Sequence, residues 1–514
     1  MLQAIADYMR LFRAGAVMIR HDVVMPDELR ARAPLPARVA GGVLRLFGGD
    51  AGRGKRPGQR FASALEKLGP AWIKLGQFLA TRPDVIGVTA ANDLSRLKDA
   101  LPAFPKPQVK RSLEDAFGAD AARLFPNLSD PVAAASVAQV HRLETEDGPR
   151  AVKILRPGVE RVIERELRAM KRAAALAAKR GDAELRRLEP VAFVDTMARS
   201  LTREMDLRFE AAAASEFREI AALDNYVYAP DVDWLRTSRR VLTTTWIDGK
   251  GLTDPDVLNG VDRADLANRI TRGFLACALD HGFFHADVHE GNMILAPDGR
   301  LFMVDFGIMG RIGRPERRFL AEILAGFLAR DYQRVAEVHF EAGYVPADNS
   351  HAEFAQALRS VGEPIFGKSA REVAMSRVLL QLFDITRQFG MHLRPELILL
   401  QKTMVQVEGV SRAIDPDHDI WQAAKPVVDR WTRNEFGPPG VARTVREALK
   451  DGLIRLRRLP QMMDALEAAI ARANEPPAPP PKRAPRWLWT LAGLGLGSAV
   501  VGAAWWLLET GAIG

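Results

Sequence analysis

A single cysteine, Cys277, stands in a chain of 514 residues. No disulfide framework can form within it, which points to a reducing compartment. Cys277 lies in the apolar run FLACALDHGFF, where a buried thiol is expected rather than a nucleophile. There is no paired CxxC and no aromatic RNP-like strand, so nucleic acid is not expected as a partner. There is no HExxH, and no GxxxxGK[ST]. The basic, Gly-rich stretch GGDAGRGKRPGQR, residues 48–60, does not have the order of a P-loop. No internal repeat is visible. A strong charge of one sign is also missing: 72 Lys+Arg against 64 Asp+Glu leave +8. The N-terminal stretch MLQAIADYMRLFRAGAVMIRH has charges inside its apolar run and no small-residue cleavage site. It reads as an amphipathic helix packed on the body rather than a secretory signal.

What is present is a large apolar content, 47%, enough for more than one domain. The longest uncharged run is WLWTLAGLGLGSAVVGAAWWLL, Trp487 to Leu508. At 1.5 Å per residue it could cross a hydrocarbon core of roughly 30 Å. Tryptophans lie at both of its ends. Lys482, Arg483 and Arg486 precede it, which would leave the soluble body on the cytoplasmic side. The expectation is a single-pass C-terminal anchor in a bacterial-type inner membrane. Gly493 and Gly497 form a GxxxG that would permit a homodimer through the transmembrane helix. EPPAPPPKRAP, residues 475–485, reads as a semi-rigid linker before it.

Along the body, Phe61, Leu65, Leu68, Trp72, Leu75 and Leu79 recur at helical steps, with a kink or split near Pro70. From Pro131 the pattern becomes two strands around a turn at Glu146-Asp147-Gly148. Helical segments follow over 160–179 and 189–221, then a strand from Arg239. FFHADVHEGNMILAPDGRLFMVDFGIMG reads as a loop, a short hairpin and another loop; helices dominate from Pro315 on. The predicted fold is α+β: a two-lobed protein-kinase-like fold with an N-terminal helical extension and a helical C-lobe. The predicted divisions are 1–60, 61–130, 131–250, 251–473, the linker 474–486 and the span 487–508.

Phosphoryl transfer needs a Lys on the phosphates, oxygen ligands for Mg²⁺ and an Asp at the attacking group. All occur here in kinase order. Lys153 lies in AVKIL, the VAIK strand pattern. HADVHEGN places Asp287 five residues before Asn292, and DFG follows as Asp305-Phe306-Gly307. ATP and Mg²⁺ are therefore the expected cofactors, with Asn292 and Asp305 as metal ligands. His281, His285 and His289 are four apart, but Gly282 interrupts any common helix, so zinc is not expected.

The chain resembles the UbiB family of atypical kinase-like proteins, associated with ubiquinone biosynthesis, over about Phe61 to Pro416. KLGQ, carrying Lys74, Gly76 and Gln77, and the TRPD behind it are similar to the family's KxGQ helix. Ala133, Ala134, Ala135 and Ser136, followed by QVHR, resemble its alanine-rich loop, which replaces a glycine-rich one. Ala restricts a backbone that Gly would let approach phosphates. Glu204 and Asp206 match its ExD motif; Glu210 stands where a glutamate pairs with the strand lysine. VEGVSRAIDP, residues 407–416, resembles the C-terminal helical signature. Departures are Val288 and Glu290 for the prolines of HADPHPGN, Thr244-Thr245-Trp246 at the hinge, and Ala213 and Ala214 where an Asn is usual.

The resemblance implies Lys74 and Gln77 folded over the site with Glu204 and Asp206 as partners, where a kinase would seat a peptide. It implies a membrane-anchored, Mg²⁺-dependent ATPase, or small-molecule or lipid kinase, supporting ubiquinone biosynthesis. Lys153 would hold phosphates, oriented by Glu210, with Trp246 at the nucleotide; Asp287 would position the nucleophile. Quinone precursors, the membrane and the biosynthetic enzymes are the implied partners. The alternatives are a protein kinase, or a non-catalytic nucleotide-binding scaffold.

Overall fold

A computed structural model describes residues 2–21, 23, 54–80, 86, 88–94, 97, 102–180, 189–364, 381, 385, 388–391 and 395–437. The N-terminal helix α1 (Leu2–Arg20) packs on a later helix through Asp7, whose Oδ2 accepts from Arg172 Nε at 2.7 Å. Next come α2 (Pro57–Leu68) and α3 (Pro70–Ala80). The expected kink near Pro70 is a full break: Gly69 takes φ 102°, a conformation side chains disfavour, and Pro70 opens the next helix. Short α4 (Val88–Leu94), α5 (Lys106–Phe117) and α6 (Ala121–Leu124) follow.

The sheet is antiparallel, in the order β1 (Leu128–Ala134), β2 (Ala138–Leu143), β3 (Arg150–Leu155), β4 (Val241–Thr245). Three strands therefore precede the helix that begins at Val159, where the sequence pattern gave two. The extra strand was hidden by Pro131, around which the β1–β2 register slips. Proline is tolerated there because β1 is an edge strand. Alternation along β3 sends Val152 and Ile154 into a core with Val109, Leu113 and Phe125. Lys153 and Leu155 fall on the opposite face, and Leu155 packs into the core that holds Trp72, Leu167 and Leu207.

Three helices fill the rest of this lobe: α7 (Val159–Arg180), α8 (Pro190–Glu204) and α9 (Leu207–Ala221). The single helix expected over 189–221 is thus two, broken at Met205-Asp206. Asp206 caps α9, its side chain accepting from Arg208 N.

The second lobe contains β5 (Lys250–Gly251), α10 (Arg263–Ala276) and the small strands β6 (Phe283–His285), β7 (Met293–Leu295), β8 (Leu301–Met303) and β9 (Met309–Arg311). β5, β7 and β8 form one sheet, and β6 pairs with β9. Helices α11 (Arg314–Ala329), α12 (Tyr332–Glu341), α13 (His351–Gly362), α14 (Pro395–Ile414) and α15 (Ile420–Phe436) complete it. A π-turn over Cys277–His281 ends at Gly282, φ 68°, and separates His281 from the strand carrying His285. Cys277 is buried, and burial pushes its thiol up to about 12.

The expected single-pass inner-membrane localisation requires correction. Among the described residues no helix is long and apolar enough to cross a membrane. The longest, α7, carries ten charged residues in its 22 and is amphipathic. The span 487–508 that carried the expectation, with its linker and GxxxG, lies outside the described residues, as does TRPD.

Candidate active site

The site lies between the two lobes of Met1–Gly437, one compact unit. Lys153 reaches it because of its parity on β3. Its Nζ donates to Glu210 Oε1 at 2.7 Å and to Asp305 Oδ1 at 3.2 Å. Glu210 is presented by the first turn of α9, directly after the Asp206 cap. Asp305 adopts φ 62°, in the left-handed region that non-glycine residues rarely enter. That conformation aims its carboxylate at Lys153, and Oδ1 also accepts from Gly307 N at 3.3 Å.

The electrostatics follow from this contact. Burial opposes the Lys153 ammonium, but the Asp305 and Glu210 carboxylates outweigh it and raise its pKa. The Lys153 charge holds Asp305 well below the usual carboxylate range against burial, and Lys74 adds to the effect. Burial pushes Glu210 up to about 7, with Lys153 opposing and Asp305 and Glu204 reinforcing.

His285 joins the loop of Asp287 to the loop of Asp305. Its Nδ1 accepts from Asp287 N at 3.2 Å, so Nε2 carries the proton and donates to Asp305 O at 2.9 Å. Burial lowers its pKa, consistent with this neutral tautomer. Its ring sits against Phe306 and Phe217, with centroids 5.6 and 6.4 Å away. Phe217 comes from α9, so the helix bearing Glu210 is packed onto both loops.

Asn292 Nδ2 donates to Asp287 O at 3.1 Å, which leaves the amide oxygen as the atom that could ligate a metal. Asp287 Oδ1 accepts from Gln406 Nε2 at 3.3 Å and lies 3.6 Å from Lys402 Nζ. His289 Nε2 is 3.7 Å from Asp287 Oδ2.

The KLGQ helix is α3. Lys74 forms an ion pair with Glu204, and both are mostly buried. Asp206 is turned elsewhere: it caps α9 and takes Arg208 Nε and Nη2 at 2.9 and 2.7 Å. Gly76 is required by packing, since a Cβ there would lie 2.3 Å from Leu97 Cδ1 and 2.6 Å from Leu65 Cδ1. Gln77 is half-buried on the same helix.

Ala133 and Ala134 end β1, and Ala135 and Ser136 form the turn into β2, closed by Ala135 N donating to Ala138 O at 2.7 Å. Arg156, just past β3, donates to Ala135 O from Nε at 3.1 Å and from Nη2 at 2.9 Å. At the hinge, Trp246 N donates to Pro149 O at 3.0 Å, and Arg142 lies over the Trp246 ring at 5.2 Å.

Lys153, Glu210, Asp305, Lys74 and Glu204 are thus one electrostatic cluster, and Asp287 and Asn292 adjoin it through His285. Reasoning from sequence missed Lys402, Gln406 and Arg156, and took His285 only as a possible metal ligand. Lys402 and Gln406 had one visible signal: polar residues four apart in the apolar run LILLQKTMVQV.

Among the described residues no three His, Cys, Asp or Glu side chains are grouped to hold a metal. Mg²⁺ needs no such cage, because it binds through one or two protein oxygens and the substrate's phosphates. An ionised Asp305, a free amide oxygen on Asn292 and a Lys153 kept cationic fit a Mg²⁺-nucleotide by donor chemistry.

Comparison with known proteins bears on this geometry. Residues 96–339 match the ABC1 atypical kinase-like domain, and residues 358–419 match the UbiB helical domain. A protein of Marinobacter nauticus named "Probable protein kinase UbiB" is 38% identical over 418 residues, covering 80% of this chain and 76% of that one. Proteins of the same name from Vibrio atlanticus and Pseudomonas putida are 36% and 35% identical, covering 89% and 96% of this chain and 85% and 93% of theirs. Among solved structures, the Rv3197–erythromycin complex from Mycobacterium tuberculosis aligns with a TM-score of 0.50 at 23% identity. It covers 78% of this chain and 98% of that one, and the likeness extends to the fold alone.

Proposed function

This chain belongs to the UbiB family, and on that footing we propose that it is a Mg²⁺-dependent, ATP-using enzyme supporting ubiquinone biosynthesis. In this reading it is an ATPase or a kinase of a small molecule, and quinone precursors or their biosynthetic enzymes are its partners. The observation that carries the reading is Lys153 held between Glu210 and Asp305, at 2.7 and 3.2 Å. Such a lysine is fixed in place and kept charged, as a phosphate-binding lysine must be.

ATP and Mg²⁺ would supply the phosphoryl group and the charge that neutralises it as it moves. Lys153, oriented by Glu210, would hold phosphate oxygens. Asp305 and Asn292 would hold the metal. Asp287 accepts a hydrogen bond from the attacking water or hydroxyl and takes its proton. The Ala133–Ser136 turn would serve the phosphates and Trp246 the base; Arg156 restricts the turn by tying down Ala135 O.

The printed names of the relatives favour a second reading, a protein kinase. Against it stands the Lys74–Glu204 pair, which brings α3 into the cluster around Asp305. A peptide would need that space.

The test is ATP turnover by the purified chain, with and without Mg²⁺, beside Asp305→Asn. Mg²⁺-dependent turnover reduced at least 100-fold in the variant is expected. Equal turnover in both proteins would sink the proposal. Labelled phosphate recovered on added protein would favour the second reading.

A further inference from the structure

The residues that hold Asp287 come from outside the part of the chain that matches the kinase-like domain. Asp287 lies within 96–339, whereas Lys402 and Gln406 lie within 358–419, the match to the helical domain. They are one turn apart on α14 and face the same carboxylate oxygen. Gln406 Nε2 donates to Asp287 Oδ1 at 3.3 Å, and Lys402 Nζ lies 3.6 Å from it. Between them, Thr403 Oγ1, which donates to Leu399 O of its own helix at 2.8 Å, lies 3.4 Å from Ala286 O. Three side chains of one helix thus meet two consecutive residues of the catalytic loop.

The helix itself is locked against α10. Thr271 Oγ1 pairs with Ser411 Oγ at 3.3 Å and with His418 Nε2 at 2.9 Å, all three residues buried. Ser411 Oγ also donates to Ala267 O at 3.3 Å. The register of α14 against the loop is therefore fixed, and with it the reach of Lys402 and Gln406.

Packing does not account for Gln406. Its Oε1 is buried with no hydrogen-bond partner among the described residues, which is unfavourable. A Leu or Met would fill the space without that penalty. What the amide adds is its bond to Asp287. Lys402 likewise places its ammonium inside the site rather than in solvent, with its side chain only 20% exposed.

We infer that Lys402 and Gln406 are positioning residues: the helical domain completes the active site by clamping one oxygen of Asp287. Oδ1 is occupied by the clamp, so the attacking hydroxyl is met by Oδ2, on the side that His289 Nε2 approaches at 3.7 Å. This rests on the role given to Asp287 above. It deepens that role by assigning the helical domain a part in the chemistry rather than in assembly alone.

The experiment has two arms on the full chain. The first is a double-mutant cycle in urea with Lys402→Met and Asp287→Asn. Lys402→Met is expected to shift the unfolding midpoint less in the Asp287→Asn background than in the wild type; strictly additive shifts overturn the clamp. The second arm is ATP turnover by Lys402→Met, Gln406→Leu and Lys402→Arg. The first two are expected to lower kcat about 10- to 100-fold with the KM for ATP within about twofold, as misplacement of a reacting group does. Lys402→Arg is expected to recover most of kcat. Unchanged kcat in both neutral variants, or an effect on KM alone, overturns the inference. A wild-type chain without turnover refutes the proposed function, and the urea cycle still decides the clamp.

Discussion

Asp305 holds a left-handed backbone, φ 62°, that a β-carbon makes unfavourable. The surroundings that maintain it are specific: Lys153 on the carboxylate, and His285 on the carbonyl. His285 is also the acceptor for Asp287 N, so one neutral imidazole holds the backbone of both aspartates. Replacing it by Leu removes the partner of two part-buried backbone groups. We expect His285→Leu to lower stability by roughly 2–4 kcal/mol, read as a shift of the urea midpoint at unchanged slope. Turnover should fall further than the lost folded fraction explains. A midpoint within experimental error of wild type would contradict this account.

The break between α8 and α9 sets the positions of three acidic residues. Glu204 ends α8 and meets Lys74; Asp206 caps α9; Glu210 follows one turn later and meets Lys153. One helix boundary thereby connects the KLGQ helix with the strand lysine. Removing the cap in Asp206→Ala should cost about 1 kcal/mol, as for other N-caps. Because α9 carries Glu210, we also expect nucleotide affinity to drop severalfold, measured by titration calorimetry. Asp206→Asn keeps a capping oxygen and should keep most of both. Equal losses in the two variants would show that the carboxylate charge, not the cap, is what matters.

At the scale of the whole unit, buried titratable groups pull stability in opposite directions with pH. Burial lowers the pKa of His285, His339 and His418. These bind fewer protons folded than unfolded, so stability falls as pH drops below the ordinary histidine range. Glu408 behaves oppositely: burial raises it to about 7, with Arg412 opposing and Asp419 reinforcing. Between the ordinary value of 4.5 and about 7 the folded chain keeps a proton that the unfolded chain has lost. Its contribution is complete below the first value and gone above the second. Wild type should therefore lose up to about 3 kcal/mol over that interval that Glu408→Gln does not lose. Urea titrations of both proteins at pH 5 and pH 8 measure the difference. Parallel pH dependences would refute it.

Candidate residues for phosphoryl transfer could be named from the sequence because that chemistry calls for given residue types in a chain order. AVKIL, HADVHEGN and DFG announced Lys153, Asp287, Asn292 and Asp305, and helical periodicity announced α2 and α3. A strand interrupted by Pro131 and a helix broken at Asp206 were not legible. Both depend on what lies beside them: an open sheet edge in one case, a cap in the other. The uncharged C-terminal run determined an expectation that the described helices do not carry. Only the tertiary structure decided which charges meet. Lys74 selects Glu204 over Asp206, Arg156 holds the alanine turn, and Lys402 and Gln406 arrive at Asp287 from more than a hundred residues away. Local pattern encodes what a segment is; the packing of distant segments decides which side chains share a site.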